Sequence, residues 1–223
     1  MPLNDQPPLM EIYERLFSRF GPRHWWPAET PFEVCIGAIL TQNTAWTNVE
    51  KAINNLKQAD CLSPEVLKDV DHEQLAELIR PSGYFNVKSR RLKDFTAWLF
   101  LNHNGSLEQM FAGDWRELRP ELLQVRGIGP ETADSILLYA GGKPSFVVDA
   151  YTRRLFHRLG LLPAGAGYDR TRDLFMEALP ADVQLFNEYH ALIVEQCKRF
   201  CRTRSACNGC PLQGICPSAA SPP

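Results

Sequence analysis

Residues 118–140 read LRPELLQVRGIGPETADSILLYA, two helix-period segments pinched around Gly-Ile-Gly-Pro. No other stretch restricts the fold as much. Gly127 and Gly129 permit backbone conformations that other residues resist, and Pro130 suits the first position of a new helix. The chain must reverse here between two helices. The amides of such a turn and of the following helix start point outward together and can hold an anion. Glu131 sets a carboxylate beside them, and an acid in a first helical turn favours the helix dipole.

The rest of the chain is also patterned for helices. Leu9, Ile12, Leu16 and Phe20 form one stripe, with Gly21 as a stop. PFEVCIGAILTQN is a nearly all-apolar helix opened by Pro31, and so buried. Val49, Ile53 and Leu56 mark an amphipathic helix, and Ser63-Pro64 pairs a cap with a first helical residue. PSGYFN is a turn, followed by the long helix VKSRRLKDFTAWLFLN. Further helices are expected over 114–123, 131–141, 149–160, 169–178 and 182–200. SFVVDA is β-rich but short, a brief extended entry into a helix. The expected class is all-α.

Seven cysteines are unevenly spread, five of them between 197 and 216. Cys201, Cys207, Cys210 and Cys216 give C-x5-C-x2-C-x5-C. Four thiolates in a compact loop suit a 4Fe–4S cluster or a tetrahedral zinc. Zinc sites usually pair two tight C-x2-C knuckles, whereas this loop has one. Cys197, a turn earlier, fits core packing. Lys198, Arg199, Arg202 and Arg204 interleave with the loop and suit DNA docking or simple solubility. Lys88–Lys93, KSRRLK, is a second basic patch, readable as a phosphate contact or as a solvated helix face. The formal net charge of −2 argues mildly against nucleic acid, although local patches and backbone amides hold phosphates without a basic whole. No apolar run has the length of a membrane span, and MPLNDQPPLM lacks the basic and apolar regions of a secretory signal. A cytoplasmic monomer with no membrane contact is the expectation.

The Gly-Ile-Gly hairpin, a Val-Val-Asp about twenty residues on, and a four-cysteine C-terminal loop together resemble the endonuclease III-type, helix-hairpin-helix DNA glycosylases. The likeness runs from about Phe32 to Cys216. It implies a two-lobed all-α fold. One lobe is a six-helix barrel over 28–142; the other joins 1–27 to 143–223 and carries an iron–sulfur loop at 201–216. It implies a 4Fe–4S cofactor on Cys201, Cys207, Cys210 and Cys216, and double-stranded DNA with a damaged base as partner, in a bacterial or archaeal cytoplasm at the nucleoid. Enzymes of this kind flip a base from the duplex into a cleft between the lobes and cut its glycosidic bond.

The same resemblance assigns roles. Asp149 matches the essential aspartate, which stabilises an oxocarbenium-like sugar and orients water; its other reading is an N-cap, and both can hold at once. Gln42 and Asn43 match a loop pushed into the gap left by the flipped base. Tyr84 matches a wedge from the opposite side, or packs beside Phe85. Arg126, Gly127, Gly129 and Lys88 complete the expected DNA contacts. At Glu131 the strand-cutting members carry a lysine that forms a Schiff base. A glutamate cannot, so hydrolysis without efficient lyase activity is implied, with Glu131 either catalytic or merely electrostatic.

RHWWPAETPFEVCIGAILTQNTAW and RPSGYFNVKSRRL are similar to the family's bacterial 3-methyladenine branch, which also has an acid at the Glu131 position. That likeness puts Trp25, Trp26 and Trp46 around the base, or leaves the tryptophan pair as core between lobes. An N3-alkylated purine is cationic while still bonded to its sugar, and electron-rich rings attract it. The four-cysteine loop departs from that branch. A thymine or uracil mismatch glycosylase, or a non-catalytic lesion-binding module, are the alternatives.

Overall fold

The computed structural model describes residues 8–219 apart from 24, 26 and 27. The Trp26 assignment therefore lies outside the described residues. Twelve α-helices are joined by short loops among them, with no strand. None is long and apolar enough to cross a membrane. The chain divides into two compact units, Trp26–Lys143 and Met1–Trp25 with Pro144–Pro223.

The first unit holds α2 (Pro31–Leu40), α3 (Trp46–Gln58), α4 (Pro64–Asp69), α5 (His72–Leu78), α6 (Phe85–His103), α7 (Leu107–Ala112), α8 (Trp115–Gln124) and α9 (Pro130–Ser135). Its helix starts are written in the sequence: Thr30, Ser63, Asp71, Ser106 and Asp114 each accept a backbone N–H of their own first turn. Such a cap contributes about 1 kcal/mol. Every residue of α2 from Phe32 to Leu40 is buried. Around it pack Val49, Ile53 and Leu56 of α3, Leu92, Phe95 and Leu99 of α6, and Leu118 and Leu122 of α8. A nearly all-apolar helix can only be stable in that central position.

The 131–141 segment is not one regular helix. It is α-helical over Pro130–Ser135 and widens into a π-helical turn over Ile136–Ala140. The Gly141 N–H donates to the Ile136 carbonyl five residues back. Periodicity did not reveal this, because one extra residue in a turn leaves the apolar pattern almost unchanged.

The second unit packs α1 (Leu9–Phe20) and α10 (Ala150–Arg158) on α12 (Val183–Arg199), with α11 (Tyr168–Ala178) beside an aromatic core. Phe146 stacks on Phe175 at 3.8 Å and meets Phe186 edge-on at 5.4 Å. Each such ring contributes roughly 1.5–3 kcal/mol by burial alone. The Tyr189 hydroxyl donates to the Leu9 carbonyl at 2.8 Å, which ties α1 to α12.

Candidate active site

Within the first unit, hydrogen bonds gather three turns. Gly127 has φ +89°, a left-handed conformation, in the turn between α8 and α9. The α9 N-cap is Gly129, so no side-chain oxygen caps the first-turn amides there. Arg119 of α8 grips the fully buried Asp134 of α9 through two bonds of 2.8 and 3.0 Å. This bidentate pair fixes the angle of the hairpin. It has no local sequence signal, since the partners are fifteen residues apart across a turn. Arg126 and Glu131 are both exposed at the hairpin.

The Gln42 side-chain amide donates to the Gly127 carbonyl and to the Thr132 hydroxyl, each at 3.0 Å, and its carbonyl accepts from Arg91. The loop after α2 is thereby fastened to the hairpin. Asn43, next to it, is exposed with φ +55°. Tyr84 precedes α6 with φ +46° and is 71% exposed, so it does not pack beside Phe85.

The basic-patch reading of Lys88 is corrected. Lys88 is 1% exposed, and its ammonium donates to the Leu40 and Ser82 carbonyls at 2.8 and 2.6 Å. Burial pushes its pKa down to about 8, with the Arg91 charge adding to the effect. The cause is register: positions 88, 92, 95 and 99 fall on one face of α6, and that face is the inner one. Lys88 ties the end of α2 to the turn that carries Tyr84, and is not a surface cation. Trp46 packs against the core of this unit, with its indole N–H given to Glu50 at 2.8 Å.

Gly127 makes a direct test of this arrangement. A Cβ there would stand 2.3 Å from Arg91 Cγ and 2.6 Å from Cδ. Gly127→Ala is expected to cost about 1–2 kcal/mol for the left-handed backbone alone. It also displaces Arg91 from Gln42. Thermal melting should fall, and affinity for a duplex with an abasic site should fall with it. Wild-type values for both would show the turn tolerates a side chain.

In the second unit Asp149 ends a buried extended stretch, Ser145–Val148, and caps α10. Its Oδ1 accepts the Thr152 N–H at 2.7 Å and the Thr152 hydroxyl at 2.9 Å. Its Oδ2 lies 3.7 Å from His190 Nε2 of α12. Burial pushes the carboxyl up, but the His190 imidazole and the Thr152 donors outweigh it, so the group lies below the usual aspartate range. Trp25 meets the His190 ring edge-on at 6.2 Å and 84°, with the Lys198 ammonium 5.9 Å from its own ring. Its indole N–H is buried without a hydrogen-bond partner among the described residues. A donor left so costs about 1–3 kcal/mol.

Further along α10, Arg154 donates to the Cys201 carbonyl at 2.9 Å. Arg158 donates to Cys201 Sγ at 3.2 Å and to the Arg202 and Thr203 carbonyls at 2.6 and 2.9 Å. Cys201, Cys207, Cys210 and Cys216 line one small cavity of about 30 Å³. Gln196 donates to Cys210 Sγ at 3.0 Å. Cys197 is buried beside the loop with its thiol on the Tyr151 carbonyl at 3.5 Å. The bond from Cys197, opposed by burial and aided by Arg158, holds the Cys201 thiol below its ordinary range. Among the described residues, no three cysteine, histidine or acidic side chains close on a single point. The braces Arg154 and Arg158 carried no sequence signal, because their partners lie more than forty residues away.

Residues 36–181 match the family described as HhH-GPD superfamily base excision DNA repair protein. The chain belongs to that superfamily. Among HhH-GPD relatives, "Putative DNA repair glycosylase MJ1434" of Methanocaldococcus jannaschii is 50% identical over 210 residues, 93% of this chain and 95% of that one. Endonuclease III of Thermotoga maritima is 28% identical, over 92% and 91%. The fold superposes on an H. pylori 3-methyladenine DNA glycosylase bound to 1,N6-ethenoadenine with a TM-score of 0.75. Identity there is 31%, over 86% of this chain and 98% of that one. A trapped endonuclease III–DNA covalent intermediate has the same HhH-GPD fold, with a TM-score of 0.82 at 22% identity, over 95% of both chains.

Proposed function

We propose that this chain is a monofunctional DNA glycosylase that hydrolyses the bond between deoxyribose and an alkylated purine such as 3-methyladenine. The observation that carries the reading is the environment of Asp149. Its carboxylate is kept ionised at the start of α10, and a ring chain of His190 and Trp25 leads away from it. A fixed negative charge stabilises the cation that develops on the sugar as the base departs. An N3-alkylated purine is already cationic and leaves as a neutral base, so little acid assistance is needed. The indole of Trp25 offers such a base an aromatic face. The likeness to a 3-methyladenine glycosylase over nearly that enzyme's whole length supports the substrate class.

Glu131 supports hydrolysis over lyase chemistry, because a carboxylate cannot form a Schiff base. Its place in the first turn of α9 complements the helix dipole. Gln42, Asn43 and Tyr84 are assigned to the gap left by the base. The hairpin at Arg126, Gly127 and Gly129 is assigned to the phosphates. Cys201, Cys207, Cys210 and Cys216 would hold a 4Fe–4S cluster. Their four thiols face one cavity, with N–H donors already aimed at two of the sulfurs. When bound, such a group folds a loop that has little apolar surface of its own.

The test is a panel of duplexes, each with one altered base, incubated with excess enzyme and split between hot alkali and none. Alkylated purine should be released, and strands should break only in the alkali arm. Borohydride with an abasic duplex should trap little or no covalent adduct. Release of only thymine or uracil opposite guanine would replace the substrate, and robust trapping would reveal another amine. Tight binding with no release from any duplex would favour a lesion-binding module.

A further inference from the structure

We propose that His190 is a positioning residue, which sets the orientation of the Asp149 carboxylate and links it to the base-stacking face of Trp25. The inference rests on the reading of Asp149 as the charge that meets the sugar. It starts from the surroundings of His190 on α12. Tyr189, Ala191, Leu192, Ile193 and Val194 are all buried with it. An apolar side chain would fill that place without the cost of desolvating an imidazole. The ring instead presents Nε2 to Asp149 Oδ2 at 3.7 Å, with the two side chains 7% and 15% exposed.

The geometry leaves His190 a defined task. Thr152 pins Oδ1 twice, from the same helix that Asp149 caps. That fixes one oxygen but leaves rotation of the carboxylate plane about it. His190 approaches the other oxygen from a different helix at 3.7 Å, an ion-pair distance rather than a hydrogen bond, and favours one setting of that rotation. The ring also meets Trp25, edge-on at 6.2 Å. A base stacked on the indole would therefore lie one ring away from the imidazole that faces the carboxylate. Cys197, two turns further along α12, also feels the Asp149 charge, and Lys198 lies toward Trp25. Neither is placed to replace the His190 contact with Oδ2, since Cys197 is engaged with Cys201 and the Tyr151 carbonyl.

Two substitutions separate alignment from packing. His190→Phe keeps a buried ring against Trp25 and removes the nitrogen; His190→Gln keeps a polar N–H donor. Both are compared with wild type in single-turnover base release, in thermal melting, and in the 13C-detected titration of the Asp149 carboxyl. His190→Phe should slow release by roughly ten- to a hundredfold, the scale of a slightly misplaced catalytic group. The Asp149 midpoint should rise, and melting should stay near wild type. His190→Gln should recover most of the rate and of the midpoint. Unchanged rate and unchanged midpoint in His190→Phe would overturn the proposal. So would equal slowing of both variants in step with equal loss of stability, which marks packing alone. If wild type releases no base at all, the functional reading fails. The Asp149 midpoint in His190→Phe then still decides whether His190 governs the carboxylate.

Discussion

Asp149→Asn is expected to lower the single-turnover rate of base release by roughly a hundredfold or more, the scale of a lost charge-stabilising group. Asparagine is as good an N-cap as aspartate, so the bonds from Thr152 to Oδ1 can persist and α10 should keep its start. What disappears is the charge on Oδ2. Binding to a duplex with an abasic site should survive, because Asp149 holds no phosphate in this reading. Excision by the variant as fast as wild type would refute the mechanism. The carboxyl also predicts a pH response. Its folded pKa lies below the unfolded value of about 3.9. Its contribution to stability is therefore complete above that value and is lost as pH falls through the folded pKa. Release of base should stay insensitive to Asp149 ionisation across the neutral range, and a titration of this group near pH 7 would contradict the environment described.

The second large effect concerns the C-terminal loop. Cys210→Ala should abolish the broad visible absorbance expected of an iron–sulfur protein and open residues 201–216 to proteolysis. Only Cys201 and Leu212 are buried in that loop, so little apolar packing remains to hold it. A loss of even ~3 kcal/mol of metal-coupled folding energy lowers the melting midpoint by about 6–12 °C in a chain of this size. Arg154 and Arg158 would then lose the carbonyls and the sulfur they now grip. Cys197→Ala should leave the absorbance intact, because the cavity is lined by the four loop cysteines and not by Cys197. Stoichiometric zinc with no iron or sulfide in protein prepared without oxygen would overturn the cluster assignment.

Helix geometry links the two effects. Asp149 sits at the first end of α10, and the loop braces sit at its middle, Arg154, and its last residue, Arg158. A loop that unfolds removes the partners of Arg154 and Arg158, yet leaves the Asp149–Thr152 cap. Cys210→Ala should therefore reduce stability far more than the intrinsic rate of the molecules still folded.

The sequence by itself determined what depends on neighbours a few residues apart. Pro and Ser at 63–64, the Gly-Ile-Gly turn and the all-apolar run after Pro31 were enough for the helical class, the hairpin and the central helix, because caps, left-handed turns and 3.6-residue periodicity are local. The Asp149 cap was legible for the same reason, as it bonds only three residues ahead. Tertiary structure alone decided the rest. Lys88 looked like part of a cationic patch, since charge is counted along the chain, but the inner register of α6 and two distant carbonyls bury it. Gln42 reaches its partners 85 and 90 residues away, Arg158 its loop more than forty away, and His190 its aspartate across two helices. Such contacts have no period and no motif. They exist only once the helices have packed, and they turn a helical scaffold into an aligned carboxylate, a fastened loop and a braced set of thiols.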